Sequence, residues 1–210
     1  MSQSQPFDLT PEASALLSLP DNFRIAIIKT LSLTDVKKLT RIGSRSLRRL
    51  AGRALKDQVN DLFRSSSLDP EATFQMMDNT DTVLSGSGPL KIITQGDWHN
   101  NDLDFYTGKS SSDPVIQFFQ QQGFQVVTIV DLEYGPDLTP SSQNGLSPAN
   151  SVQERVGGNY CIDKVFTLEH SVLKNKLNLI ESASESPLAP IAFFHSTLVM
   201  NFISADGVDS

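Results

Sequence analysis

Leu84-Ser85-Gly86-Ser87-Gly88, followed after a helix-length gap by Asp102-Leu103-Asp104, is the stretch whose reading decides the fold. A short strand runs into a Gly-Ser turn, a helix follows, and a second strand brings two acids one residue apart. Glycine lets backbone N–H groups approach an anion closely, and a helix N-terminus adds partial positive charge. Side chains on a strand repeat with period 2, so Asp102 and Asp104 point to one face. Two neighbouring carboxylates can hold Mg²⁺, which takes oxygen ligands and usually keeps waters and substrate phosphates. A metal so held can clamp a triphosphate and activate the attacking group.

Working outward, the texture differs on the two sides of this stretch. On the N-terminal side the periods are helical. Residues 1–15 read as a loose tail, with order beginning near Leu16. Leu19-Pro20-Asp21 reads as a helix start, with Phe23, Ile27, Ile28 and Leu31 at helical spacing. A second helix is expected from Thr34, capped by its hydroxyl, with Asp35 at the positive end. Its apolar stripe runs from Val36 and Leu39 to Leu50 and Ala54, with an interruption at Gly43-Ser44. Lys37, Arg41, Arg45, Arg49 and Arg53 recur at i, i+4 on the other side. Asp69-Pro70 opens a short helix through Met77.

On the C-terminal side the runs are short and β-rich. Strands are expected at Thr82–Ser85, Asp102–Thr107, Gln125–Val130, Lys164–Glu169 and Lys176–Ile180. Asp113-Pro114 starts a helix carrying Val115, Phe118 and Phe119, which Gly123 ends. Residues 135–152 are rich in Pro, Ser, Asn and Gly and read as a mobile surface loop. A last apolar helix is expected from Pro190 through Ile203. The fold class is therefore α+β: a small N-terminal helical module over 16–66, then a mixed-sheet α/β domain over 67–210.

Charge divides the chain in the same place. Of the 17 Lys/Arg and 24 Asp/Glu, residues 1–64 hold 11 and 6, and residues 65–210 hold 6 and 18, so a net +5 and a net −12 make up the −7. That acidity argues against binding of a polyanion by the second region without metal. The basic helix stripe has no interleaved aromatic residues, so there is no strong nucleic-acid signal. Cys161 is the single cysteine, which excludes an intramolecular disulfide framework and a Cys-based zinc site. No apolar run reaches the roughly 18–20 residues that span a bilayer, and the N-terminus has no secretory pattern. The expected setting is intracellular, cytoplasm or nucleus, with no membrane partner. Trp98 reads as a packing anchor, His195 as a hydrogen-bonded residue of the last helix, and Cys161 has no paired base that would make it a nucleophile.

Gly86-Ser87, the gap, and Asp102-Leu103-Asp104 together resemble the signature of the nucleotidyltransferase superfamily, the DNA polymerase beta-like fold. The resemblance implies Gly86 and Ser87 as nucleotide-binding residues on the triphosphate, and Asp102 and Asp104 as catalytic Mg²⁺ ligands. The implied reaction is transfer of a nucleotidyl group from an NTP to an acceptor. That family adds a third acid from a neighbouring strand, and the matching position in Lys176-Leu177-Asn178-Leu179-Ile180 is Asn178, with Glu181 or Asp163 as the acids that would have to compensate. More closely, residues 78–207 resemble nucleotidyltransferase-like proteins of mushroom-forming fungi. The matching pieces are Ser85-Gly86-Ser87, Gly96-Asp97-Trp98, Asn101 to Tyr106, and Phe194 to Phe202. Leu19-Pro20 with the helices to Leu50 is similar to an F-box, which implies a protein adaptor bound through Leu19 and Pro20. The rival to an enzyme is therefore a non-catalytic binding scaffold, or an F-box-type adaptor of a ubiquitin ligase.

Overall fold

A computed structural model describes residues 15, 18–41, 45–97, 102–132, 161–194, 200–205 and 207–209. Nearly all of the expected tail over 1–15, the Gly43-Ser44 interruption, Trp98, the loop over 135–152 and His195 lie outside the described residues.

Three helices open the chain: α1 (Asp21–Ile28), α2 (Leu33–Arg41) and α3 (Arg45–Ser65). Pro20 is the N-cap residue of α1, with its carbonyl accepting from the Phe23 and Arg24 N–H groups at 3.1 Å. Ser32, not Thr34, caps α2: its Oγ accepts the Asp35 N–H at 3.2 Å, and Thr34 already lies inside the helix. Both hydroxyls are competent caps, and the helix begins two residues earlier than the Thr-Asp pair suggests. Helix α1 is tied to α3 by Gln58 Nε2 donating to the Lys29 carbonyl at 3.1 Å, and by Lys29 lying 3.6 Å from Asp57 and 3.8 Å from Asp61.

Helix α3 buries one stripe along its whole length. Its first half places Leu50, Ala51 and Ala54 against Ile28 and Val36. Its second half places Val59, Leu62 and Phe63 in the core of the sheet. The boundary expected at residue 66 thus falls after a helix whose last turns already belong to that core. Helix α4 (Pro70–Asn79) follows, with the Asp69 carboxylate accepting the Ala72 N–H at 2.8 Å and Pro70 in its first turn.

The sheet is built from β1 (Val83–Ser85), β2 (Asp102–Thr107), β3 (Phe124–Asp131), β4 (Ile162–His170), β5 (Lys176–Ser182), β6 (Phe202–Ser204) and β7 (Gly207–Asp209). Their order is β3-β4-β5-β2-β1-β6-β7. Only β2 and β5 pair in parallel; the other neighbours are antiparallel. Helices α5 (Ser87–Thr94) and α6 (Ser112–Gln121) connect strands, and α7 (Ala189–Ala192) is one short turn. The architecture is mixed α+β, as the pattern of runs predicts. Among the described residues no helix is long and apolar enough to cross a membrane.

Period 2 distributes the sheet between two faces. Leu103, Phe105, Leu177 and Leu179 enter the main core beneath α3 to α6, where Phe105 packs 5.0 Å from Phe119 and 6.3 Å from Phe63. Tyr106, Val83 and Ile180 form a smaller cluster with Ile191 on the opposite, less covered face. Asp102 and Asp104 share that second face with Tyr106.

The expected last helix over Pro190–Ile203 is corrected. Helix α7 ends at Ala192, and Phe202–Ser204 is a strand that pairs antiparallel with β1, Leu84 opposite Ile203. A short apolar run does not separate a buried helix from a buried strand by periodicity. Here the free edge of β1 decides the matter, and Ile203 is buried in the main core. The segment Gly207–Asp209 adds a strand that the sequence did not suggest.

Candidate functional site

The site starts at the sharp exit from β1. Gly86 has φ +81° and ψ −143°, a conformation that a residue with a side chain rarely adopts, and it is the N-cap residue of α5. A Cβ on Gly86 would sit 2.6 Å from Asp104 Oδ2. The glycine is therefore required twice, by its backbone and by the carboxylate against it. Ser85 is buried, its Oγ donating to the Asn201 carbonyl at 2.6 Å, which fixes the end of β1. Ser87 and Gly88 open α5, and their N–H groups have no acceptor inside the helix. Pro89, next in the first turn, has no N–H to offer.

Strand pairing brings the acids to this turn. Ser85 is opposite Asp104 on one side, and on the other side Asp104 is opposite Asn178 of β5. Asn178 spans both carboxylates: its Nδ2 donates to Asp104 Oδ1 at 2.9 Å and to Asp102 Oδ2 at 3.1 Å. Its Oδ1 accepts from Thr167 Oγ1 at 3.2 Å, which sets the amide's orientation. Of the four residues expected from the sequence, Gly86 lies against Asp104, Asp104 and Asp102 are bridged by Asn178, and Ser87 follows Gly86 as the first residue of α5.

The electrostatics follow from that packing. Burial pushes the Asp104 carboxyl up from its ordinary value, the hydrogen bond from Asn178 pulls it down, and the charge of Asp102 pushes it up again. Burial, and then the charge of Asp104, hold the Tyr106 phenol well above its ordinary range, so it stays neutral at physiological pH. The two acids that would have to replace the third carboxylate do not reach the pair. Glu181 is buried opposite Thr107, three residues along β2 from Asp104, and accepts the Ser110 N–H at 3.0 Å. Asp163 lies on β4 in the turn of strand where the register shifts. Among the described residues, no group of three or more His, Cys, Asp or Glu side chains comes together.

Two carboxylates nevertheless suit Mg²⁺, which is usually held by one or two acids, substrate phosphates and water. The residues that would hold it are Asp102 and Asp104, and Asn178 is the group that aligns them.

A cavity of about 500 Å³ opens beside the site, between the end of α3, the end of α5 and the starts of β2 and β5. It meets the acids at Asp102, while Gly86, Ser87 and Asp104 do not line it. Its walls come from segments far apart in sequence, so no local pattern announces it. The one legible signal is the helical spacing of Leu62 with the end of α3.

No protein-family model matches the chain, and neither a curated protein nor a solved structure matches it. What fold and site define together is a mixed α+β protein in which a glycine turn at a helix N-terminus faces an amide-bridged aspartate pair.

Proposed function

We propose that the protein is nucleotidyltransferase-like, binding an NTP with Mg²⁺ and transferring its nucleotidyl group to an acceptor, with the α–β phosphoanhydride broken and pyrophosphate released. The observation that supports this reading is the close approach of Gly86 to Asp104, by which N–H groups that would bind the phosphates start beside carboxylates that would hold the metal. The Ser87 and Gly88 N–H groups would donate to phosphate oxygens. Asn178 holds Asp102 and Asp104 side by side by donating to both. When bound, Mg²⁺ would supply charge neutralisation to the phosphates. Asn178 itself cannot take a proton, so the acceptor's proton must leave to another base, to the substrate or to solvent. The test is a thermal-unfolding titration. Mg²⁺ or Mn²⁺ with an NTP should raise the melting temperature, and Asp102→Ala should remove the rise. No rise with any NTP at millimolar metal refutes the reading.

A second reading rests on a separate observation. Phe23 and Ile27, at i, i+4 on α1, remain 58% and 39% exposed, and Leu19, just before the helix, is 36% exposed. Such an apolar stripe suits the F-box-type role, in which a Skp-type adaptor of a ubiquitin ligase docks on the N-terminal helices. Recovery of that adaptor by pull-down, lost on substituting Leu19 and Pro20, supports a scaffold; no recovery counts against it.

A further inference from the structure

The cavity between α3 and α5 has a chemistry of its own. Two cations reach it from different elements, Lys91 on α5 and Lys176 at the start of β5. Neither makes an ion pair among the described residues. Two acids also line it, Asp61 and Asp102. The charge of Asp61 is met by Arg64 at 3.1 Å and Lys29 at 3.8 Å, neither of which lines the cavity. The lysines are therefore in excess over Asp102, and the cavity favours an anion.

Three amides add a second requirement. Gln58 donates its Nε2–H to the Lys29 carbonyl, and Gln95 donates to the Ile92 carbonyl at 3.3 Å. Asn175 donates to the Ser65 carbonyl at 3.3 Å and to Ser67 Oγ at 2.7 Å. Asn175 spends both its N–H groups on the protein and Gln58 and Gln95 one each, so these side chains offer the hydroxyls of a ligand their carbonyl oxygens and, from the two glutamines, one N–H each. Leu62 and Ile92 supply an apolar wall on which the C–H face of a ring can lie. A volume of about 500 Å³ is in the range of sites for small molecules.

From these features we propose that the cavity is a binding site for a phosphorylated sugar, its phosphate on Lys91 and Lys176 and its hydroxyls on Gln58, Gln95 and Asn175. This site stands whether or not a nucleotide binds at the aspartate pair, which it meets only at Asp102.

Calorimetric titration of the full chain with glucose 6-phosphate and ribose 5-phosphate, in metal-free buffer, tests it. At least one should bind saturably with a Kd below about 1 mM, and Lys91→Met and Lys176→Met should each weaken it about tenfold. Glucose alone and inorganic phosphate alone should bind more weakly than the sugar phosphate. Asp104→Ala should leave the binding unchanged, which separates this site from the nucleotide reading. If a lysine variant unfolds, Ser66→Trp sets a large ring in the cavity wall at a half-buried position and should abolish the heat with the circular dichroism spectrum intact. No saturable binding to either sugar phosphate overturns the proposal. So does inorganic phosphate binding as tightly as the sugar phosphate, or binding that survives all three substitutions.

Discussion

Replacing Gly86 with alanine tests the geometry of the site at its tightest point. The perturbation has two parts. The backbone at φ +81°, ψ −143° is a region nearly reserved for glycine, and forcing a Cβ into it costs about 1–3 kcal/mol. The new Cβ also meets Asp104 Oδ2 at 2.6 Å. Asp104 can yield only by rotating, which gives up its 2.9 Å hydrogen bond from Asn178. A hydrogen bond to a charged group is worth about 1.5–3 kcal/mol, and partial exposure to water puts this one at about 1 kcal/mol. The two parts together make about 3 kcal/mol. For a chain of this size that is a fall in melting temperature of about 6–12 °C. Urea unfolding followed by circular dichroism measures the loss, in wild type and in an Asp104→Ala background. Without the carboxylate only the backbone part remains, so the double variant should show a coupling of about 1 kcal/mol. A loss below about 0.5 kcal/mol for Gly86→Ala would refute the backbone argument. An equal loss in both backgrounds would refute the contact with Asp104.

Four further outcomes are expected. Asp104→Asn should raise the metal-free melting temperature at pH 7: because the folded state raises this carboxyl, its ionisation opposes folding. That penalty is absent at low pH and grows as pH rises from 3.8 through the folded value, so the variant's stability curve should be flatter over that window. Asn178→Asp should remove two donated hydrogen bonds and set a third carboxylate beside the pair, lowering metal-free stability by about 3 kcal/mol while tightening Mn²⁺ binding, read by titration calorimetry. At an NTP–Mg²⁺ concentration about 100 times its Kd, wild type should gain about 2.7 kcal/mol in unfolding experiments, and Asp102→Ala should gain none. Phe23→Ser should change stability by less than about 0.5 kcal/mol, since the ring is already exposed, yet it should abolish any adaptor recovered by pull-down.

What could be read from the sequence was local. The alternation in Asp102-Leu103-Asp104-Phe105 assigns acids to one face and apolar residues to the other, and the pairing follows it. Asn178 stands opposite Asp104, where a third acid was sought, because Leu177 and Leu179 fix the parity of β5 as Leu103 and Phe105 fix that of β2. The turn at Gly86 was legible because few residues other than glycine allow it. The bridging role of Asn178 was not, since an amide on a strand gives no hint of which carboxylates it will meet. Strand order was equally hidden. Nothing near Phe202 states that the free edge of β1 will capture it, and the same apolar letters serve a helix. The cavity depends on the end of α3 meeting a strand start more than a hundred residues later, through Asn175 and the Ser65 carbonyl.

Helix α3 has a consequence for how this chain can be divided. At 1.5 Å per residue, its 21 residues make a rod of about 32 Å. One end is gripped by the first two helices and the other is a wall of the sheet's core and of the cavity. A chain begun at residue 67 would strip Val59, Leu62 and Phe63 from that core and leave the cavity without its roof. The two charge-distinct halves are thus not interchangeable parts. A partner that seizes the first helices holds one arm of a lever whose other arm borders the pocket, and recombination in evolution would have had to cut before Arg45 to carry the sheet away whole.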